Sequence, residues 1–143
     1  MILDGQDAYE QIHVIPENVN RMMVITPDSN MVSNVIQIGD CNAPAMYQAL
    51  MNHIFSPYIG RFMDVYLDDI VIYSETLEEH IEHVKVVLDV LHREKLYLSV
   101  KKLHFLCKEM KVLGRVIDDK GIYMDSDKVD ALIRWKTPNR DLL

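Results

Sequence analysis

Two apolar runs, Phe62–Leu67 and Ile70–Tyr73, flank an adjacent pair of acids, Asp68 and Asp69. Two apolar runs separated by so short a polar interruption read as a tight hairpin. Strand alternation assigns Met63, Val65 and Leu67 to one face and Asp64, Tyr66 and Asp68 to the other, so the aliphatic residues pack below while carboxylates reach an open surface. Two readings of the acid pair stand at this point. Asp is a favoured turn residue, which makes the pair a plain β-turn. Alternatively, adjacent carboxylates at the tip of an apolar hairpin attract a cation, and Mg²⁺ needs only one or two of them because waters and substrate phosphates complete its octahedron. Asp4, at the end of an N-terminal apolar run, is the candidate for a further acid beside the hairpin.

The flanking segments predict a mixture of strands and helices. Met1–Leu3, Ile12–Ile15, Met22–Thr26 and Met31–Ile38 read as strands, the last two joined by a turn over Pro27–Asn30. A helix should start near Asn42, with Pro44 in its first turn and Met46, Leu50 and Ile54 as its apolar stripe. Thr76 and Glu79 have capping-box spacing for a second helix, with Ile81, Val84, Leu88 and Leu91 along one face. Tyr97–Val100, Val112–Ile117 and Ile122–Met124 read as strands, with a turn over 118–121, and Ser126–Trp135 as a last helix stopped by Pro138. This order predicts an α+β fold, an antiparallel or mixed sheet with helices packed on one face. His80 and His83 share a helix face with Glu79 and Glu82, which reads as a solvated polar surface rather than a metal site.

At 143 residues the chain can bury a single core without staples. Cys41 and Cys107 form no CxxC pair and no zinc spacing, so a disulfide scaffold and a zinc module are excluded and a reducing, intracellular setting is expected. The opening MILDGQDAYEQ has no signal-peptide pattern, and no apolar run approaches the roughly 18 residues of a membrane span. The net charge of −7 has the wrong sign for binding nucleic acid over the whole surface. Yet Arg93–Arg115 holds seven Lys and Arg against two Glu. That run is either a solvated face or a track for a polyanion.

An ordered series of short motifs resembles the palm of a gypsy-type LTR-retrotransposon reverse transcriptase. It comprises Leu3-Asp4, Tyr9-Glu10-Gln11-Ile12, Gly39, Asn42-Ala43-Pro44, Tyr47-Gln48-Ala49-Leu50-Met51-Asn52, Tyr66-Leu67-Asp68-Asp69-Ile70, Ile72-Tyr73-Ser74 and Glu79-His80-Ile81-Glu82-His83-Val84. Lys102 with Phe105, Leu113-Gly114, Gly121-Ile122, Asp125, Lys128-Val129 and Trp135 with Pro138 continue it in order, so the likeness covers nearly the whole chain. A lone YxDD would be weak, whereas the ordered series is specific.

The resemblance implies a polymerase palm with the YLDD hairpin at its centre, 1–124 being palm with part of the fingers and 125–143 the start of a thumb. It implies RNA-directed DNA polymerisation, the two-metal transfer of dNTPs onto a primer 3′-hydroxyl, with Asp4, Asp68 and Asp69 as catalytic and metal-binding residues and Mg²⁺ or Mn²⁺ as cofactor. Tyr9 and Gly39 would contact the nucleotide, and Lys102, Leu113 and Gly114 the primer and template. Implied partners are an RNA/DNA template-primer, dNTPs, and the fingers, thumb and RNase H regions of a parent polyprotein, with no membrane. Where the family has Pro-Phe-Gly-Leu this chain reads Gln37-Ile38-Gly39-Asp40, and where it has Lys-Thr-Ala-Phe this chain reads Arg21-Met22-Met23-Val24. Asp64, Arg115 and Leu103 also replace a customary apolar residue, His and Cys. A second expectation therefore stands beside the first: a catalytically inactive remnant that keeps the palm as a nucleic-acid or protein interaction module.

Overall fold

The computed structural model describes residues 1–135 apart from 104, 108 and 119, and of Lys102 the backbone. Pro138, expected to stop the last helix, and Lys108 of the basic run lie outside the described residues. The chain divides into two compact units, Met1–Phe105 and Leu106–Leu143.

In the first unit, β1 (Ile2–Asp4), β4 (Met63–Tyr66) and β5 (Asp69–Ile72) form an antiparallel sheet in the order β1-β5-β4. The hairpin exists as expected, but its turn is one residue earlier. Tyr66 and Asp69 are opposed, so Leu67 and Asp68 make the two-residue link and Asp69 opens β5. The alternation expected for β4 holds, with Met63 buried and Asp64 and Tyr66 exposed. Residues directly opposite in an antiparallel pair share a face. The pairing of Leu3 with Ile70 and of Met63 with Ile72 therefore makes one face wholly apolar.

Helices α1 (Ala43–Phe55) and α2 (Leu77–Arg93) cover that face. In α1 the pitch of the apolar stripe was right and its phase was not. Ala43, Tyr47, Met51 and Phe55 are buried, whereas Met46 is exposed and Leu50 and Ile54 only partly buried. The helix is apolar over much of its circumference, so local pattern does not select the face, and the sheet selects it by taking the larger Tyr and Phe rings. Asn42 precedes the helix as expected but makes no side-chain cap. The capping box of α2 is present: Glu79 N–H donates to Thr76 Oγ1 at 3.2 Å and Thr76 N–H to Glu79 Oε2 at 3.4 Å. Its buried residues are Val87, Val90 and Leu91, while Ile81 and Leu88 are exposed.

His80 and His83 are not a solvated face. Both Nδ1 atoms reach Ser74 Oγ, at 3.1 and 2.7 Å, and the His83 ring stacks on Phe62 with centroids 4.0 Å apart. They tie the end of β5 to the first turns of α2. The expected strand at 12–15 is instead a link between two 3-10 turns (Ala8–Gln11 and Pro16–Met22), joined to Val35 by one bridge at His13. Residues 97–99 likewise run along the outer edge of β1, through Gln6 N–H to Tyr97 O and Ser99 N–H to Asp4 O, without becoming a strand. A 3-10 turn at Val100–Lys102 ends that pairing. β2 (Met23–Ile25) and β3 (Asn30–Val32) form the expected hairpin, shorter than predicted.

The second unit is a meander of β6 (Met110–Val112), β7 (Arg115–Asp118) and β8 (Gly121–Met124), followed by α3 (Ser126–Ile133). The predicted strand over 112–117 is in fact broken by a turn at Leu113-Gly114. Both residues have positive φ, 51° and 75°, the conformation that a type I′ hairpin link requires. No helix among the described residues is long and apolar enough to cross a membrane.

Candidate active site

On the sheet face opposite the helices, the register brings together acids that are remote in the chain. Asp4, the last residue of β1, is directly opposed to Asp69, the first residue of β5, and Tyr66 is opposed to Asp69 from the other side. The three side chains therefore leave the same face. Immediately beyond, Gly5 N–H donates to the Asp68 carbonyl at 3.0 Å, so the chain segments 4–5 and 68–69 are stitched side by side at the sheet end. Asp4 is held on its other edge by Ser99 N–H, which donates to the Asp4 carbonyl at 2.9 Å, and its residue surface is only 9% exposed. Leu67, between Tyr66 and Asp68, has φ 52°. A left-handed Leu is uncommon, and such backbone persists where surrounding contacts over-determine it.

Tyr47 is a member of this constellation that sequence reading did not single out. Its phenol is pushed up to about 12, first by burial and then by the negative charge of Asp68, with smaller contributions from Tyr9 and Asp4. The hydroxyl reaches over Gly5, where a Cβ would lie 3.0 Å from it, which explains a residue without a side chain between Asp4 and the turn. Tyr9 meets Tyr47 edge-on, with centroids 5.7 Å apart and planes at 71°. A signal for Tyr47 was present in the sequence, in the Tyr47-Gln48 pair of the motif series, but its position off the assumed helix stripe concealed it.

The structure thus groups Asp4, Asp68 and Asp69 and, through Tyr47, Tyr9. Gly39 stands in an exposed turn, φ 106°, with no heavy atom within 4 Å of where a Cβ would be. Its turn is closed by Gln37 N–H donating to Asp40 Oδ2 at 2.8 Å. Lys102 sits in the 3-10 turn at the end of the first unit. Leu113 and Gly114, expected in a strand, form the β6–β7 turn of the second unit. The basic run is divided between the units, and within the second Lys111 is engaged by Asp125 at 3.1 Å and Asp127 at 3.4 Å.

The acid group suits a hard divalent cation by donor type, since all its side-chain donors are carboxylate oxygens. Among the described residues no group of three or more His, Cys, Asp and Glu is placed to hold a metal ion together. For Mg²⁺ a complete protein cage is not required, because the ion characteristically takes one or two carboxylates and leaves the rest of its shell to water and substrate phosphate.

Comparison with known proteins places this geometry. Residues 1–117 match the model of the family described as reverse transcriptase (RNA-dependent DNA polymerase). The chain is 32% identical over 139 residues to the retrovirus-related Pol polyprotein from transposon 297 of Drosophila melanogaster, covering 97% of this chain and 13% of the relative. It is 30% identical over 136 residues to the transposon Tf2-3 polyprotein of Schizosaccharomyces pombe, covering 95% and 10%. The chain therefore spans a small part of the length of these relatives. Among solved structures, the foamy viral protease-reverse transcriptase in complex with double-stranded DNA superposes with a TM-score of 0.87 at 23% identity, over 96% of this chain and 24% of that one. The same viral protein in complex with an RNA/DNA hybrid gives 0.84 at 23% identity, over 96% and 18%. These structural likenesses establish a shared fold.

Proposed function

The chain belongs to the reverse transcriptase (RNA-dependent DNA polymerase) family, and from that membership we propose that it carries the acid centre of an RNA-directed DNA polymerase, acting on an RNA/DNA template-primer and dNTPs. The observation that carries this reading is the register of Asp4 against Asp69, with Gly5 bonded to the Asp68 carbonyl. Transfer of a nucleotide to a primer 3′-hydroxyl is a reaction in which placement and charge do nearly all the work, and the register supplies both at one sheet end.

In this reading Asp4, Asp68 and Asp69 hold Mg²⁺ or Mn²⁺. When bound, such ions acidify the primer hydroxyl and neutralise charge on the pyrophosphate leaving group. The chain's own residues supply position. β1 and β5 fix the Asp4 and Asp69 carboxylates on one face, and Tyr47 stays protonated nearby, so it adds no competing charge. Tyr9, propped by the Tyr47 ring, offers a bulky surface under the sugar of an incoming nucleotide and disfavours a 2′-hydroxyl there. Gly39 adds an exposed backbone turn at the nucleotide, and Lys102, Leu113 and Gly114 contact primer and template. Residues 1–124 serve as palm with part of the fingers and 125–143 begin the thumb, completed by other regions of a parent polyprotein.

The test is calorimetric titration of Mn²⁺ into the chain and into Asp68→Asn. Binding that is lost or weakened at least several-fold in the variant is expected. Identical isotherms would remove the basis of the proposal.

A further inference from the structure

Gln48, half-buried on α1, makes a two-point contact with the backbone of the acid-bearing hairpin. Its Oε1 accepts from Leu67 N–H at 2.7 Å, and its Nε2 donates to the Val65 carbonyl at 3.1 Å. Val65 lies in β4, the edge strand, at the pair next to the closing Tyr66–Asp69 pair, where its carbonyl points away from β5, and Leu67 lies in the turn beyond, so the sheet supplies neither group with a strand partner. One side-chain amide, carrying a donor and an acceptor side by side, takes the place that a neighbouring peptide would fill. The Leu67 N–H can only donate and the Val65 carbonyl can only accept, which fixes the two ends of the amide, and Nε2 is also held from behind by donating to Asn52 Oδ1 at 2.8 Å, one turn further along α1.

The bonded N–H belongs to the one residue of this hairpin whose backbone is left-handed. Leu67 has φ 52°, a conformation that a side chain with a Cβ resists, and it stands immediately before Asp68. An amide anchored on Val65 and Leu67 at once fixes where the Leu67 N–H points, and with it the peptide that leads into Asp68. We propose that Gln48 is a positioning residue for the Asp68 carboxylate, acting by holding Leu67 in its left-handed conformation. The role in presenting Asp68 to a cation rests on the polymerase reading above; the backbone clamp itself does not.

The test uses the isotopically labelled chain. Gln48→Met removes both hydrogen bonds at similar volume, and amide exchange at Leu67 is expected to accelerate about tenfold, the scale of one hydrogen bond. Mn²⁺ affinity is expected to fall several-fold. Adding Leu67→Gly should restore that affinity, because glycine adopts positive φ without cost and no longer needs the clamp. A merely structural contact between α1 and β4 would lower the melting temperature but would not be rescued at residue 67. Unchanged exchange at Leu67 in Gln48→Met, or a double variant that binds Mn²⁺ no better than the single one, would overturn the inference. Should Gln48→Met not fold, Asn52→Ala, at an exposed position, releases the amide from behind and must also accelerate exchange at Leu67; if it does not, the inference fails. The exchange readout involves no metal. Mn²⁺ binding indifferent to Asp68→Asn therefore counts against the polymerase reading alone, and unchanged Leu67 exchange against the clamp alone.

Discussion

The two units of the chain are held by different forces. In the first, the buried residues are nearly all apolar, and Leu3, Met51, Phe55, Met63, Ile70, Ile72 and Val87 have essentially no exposed surface. In the second, no described hydrophobic residue is buried; Leu113, Ile122, Met124, Leu132 and Trp135 are all exposed, and the one buried residue among those described is Asp125. That carboxylate caps α3 by accepting from Asp127 N–H at 3.2 Å and takes an ion pair from Lys111 at 3.1 Å. The first unit is thus a hydrophobic core with an acid group on its far face. The second is a backbone ladder gathered round a polar hub, and a precise acid geometry belongs on the first because packed interiors transmit position.

The largest expected effect breaks this contrast if it fails. Phe55→Ala should cost the first unit about 3–5 kcal/mol, the range for emptying a buried aromatic site, whereas Ile122→Ala in the second should stay within about 0.5 kcal/mol. Hydrogen exchange resolved by segment across a denaturant series measures both, and equal losses would refute the division. A smaller effect is expected at the hub. Asp125 is held below the ordinary carboxylate range, chiefly by the Lys111 hydrogen bond and then by the Asp127 backbone N–H. A depressed carboxylate lends stability above the unfolded value of about 3.8 and loses it as pH falls further. Protection of residues 126–133 should therefore decline below about pH 4, and Asp125→Ala should show the same several-fold faster exchange at neutral pH, with the first unit unmoved.

The smallest effect sharpens the acid site. Tyr47 should titrate at about 12 rather than 10, so that its contribution to stability is intact at neutral pH and is lost as pH rises above 10. Phenolate absorbance or NMR reads the value directly. Asp68→Asn should lower it more than Asp4→Asn, because Asp68 contributes more to the shift. The reverse order would mean that Asp68 does not face the ring.

Much of this architecture was legible along the chain. The β4–β5 hairpin, the Thr76–Glu79 capping box and the start of α1 follow from local pattern, because turn chemistry, capping and alternation act over a few residues. Family motifs carried Asp4 and the Asp68-Asp69 pair, although the turn proved to be Leu67-Asp68. What local pattern could not supply was phase. Met46, Leu50 and Ile54 have the spacing of a buried stripe, yet the sheet took Tyr47, Met51 and Phe55. Ile12–Ile15 and Tyr97–Val100 have strand composition but found only single bridges. His80 and His83 read as solvated until Ser74 and Phe62 were placed beside them.

The sequence by itself determined which residues could carry chemistry and which segments would become strand or helix, since those depend on side-chain type and near neighbours. Tertiary structure alone decided that Asp4 stands opposite Asp69, that Tyr47 is buried within the field of Asp68, and that the Gln48 amide closes the edge at Leu67. These are contacts between residues far apart in the chain, set by strand register and by which face of α1 the sheet buries, and no short window of sequence contains both partners.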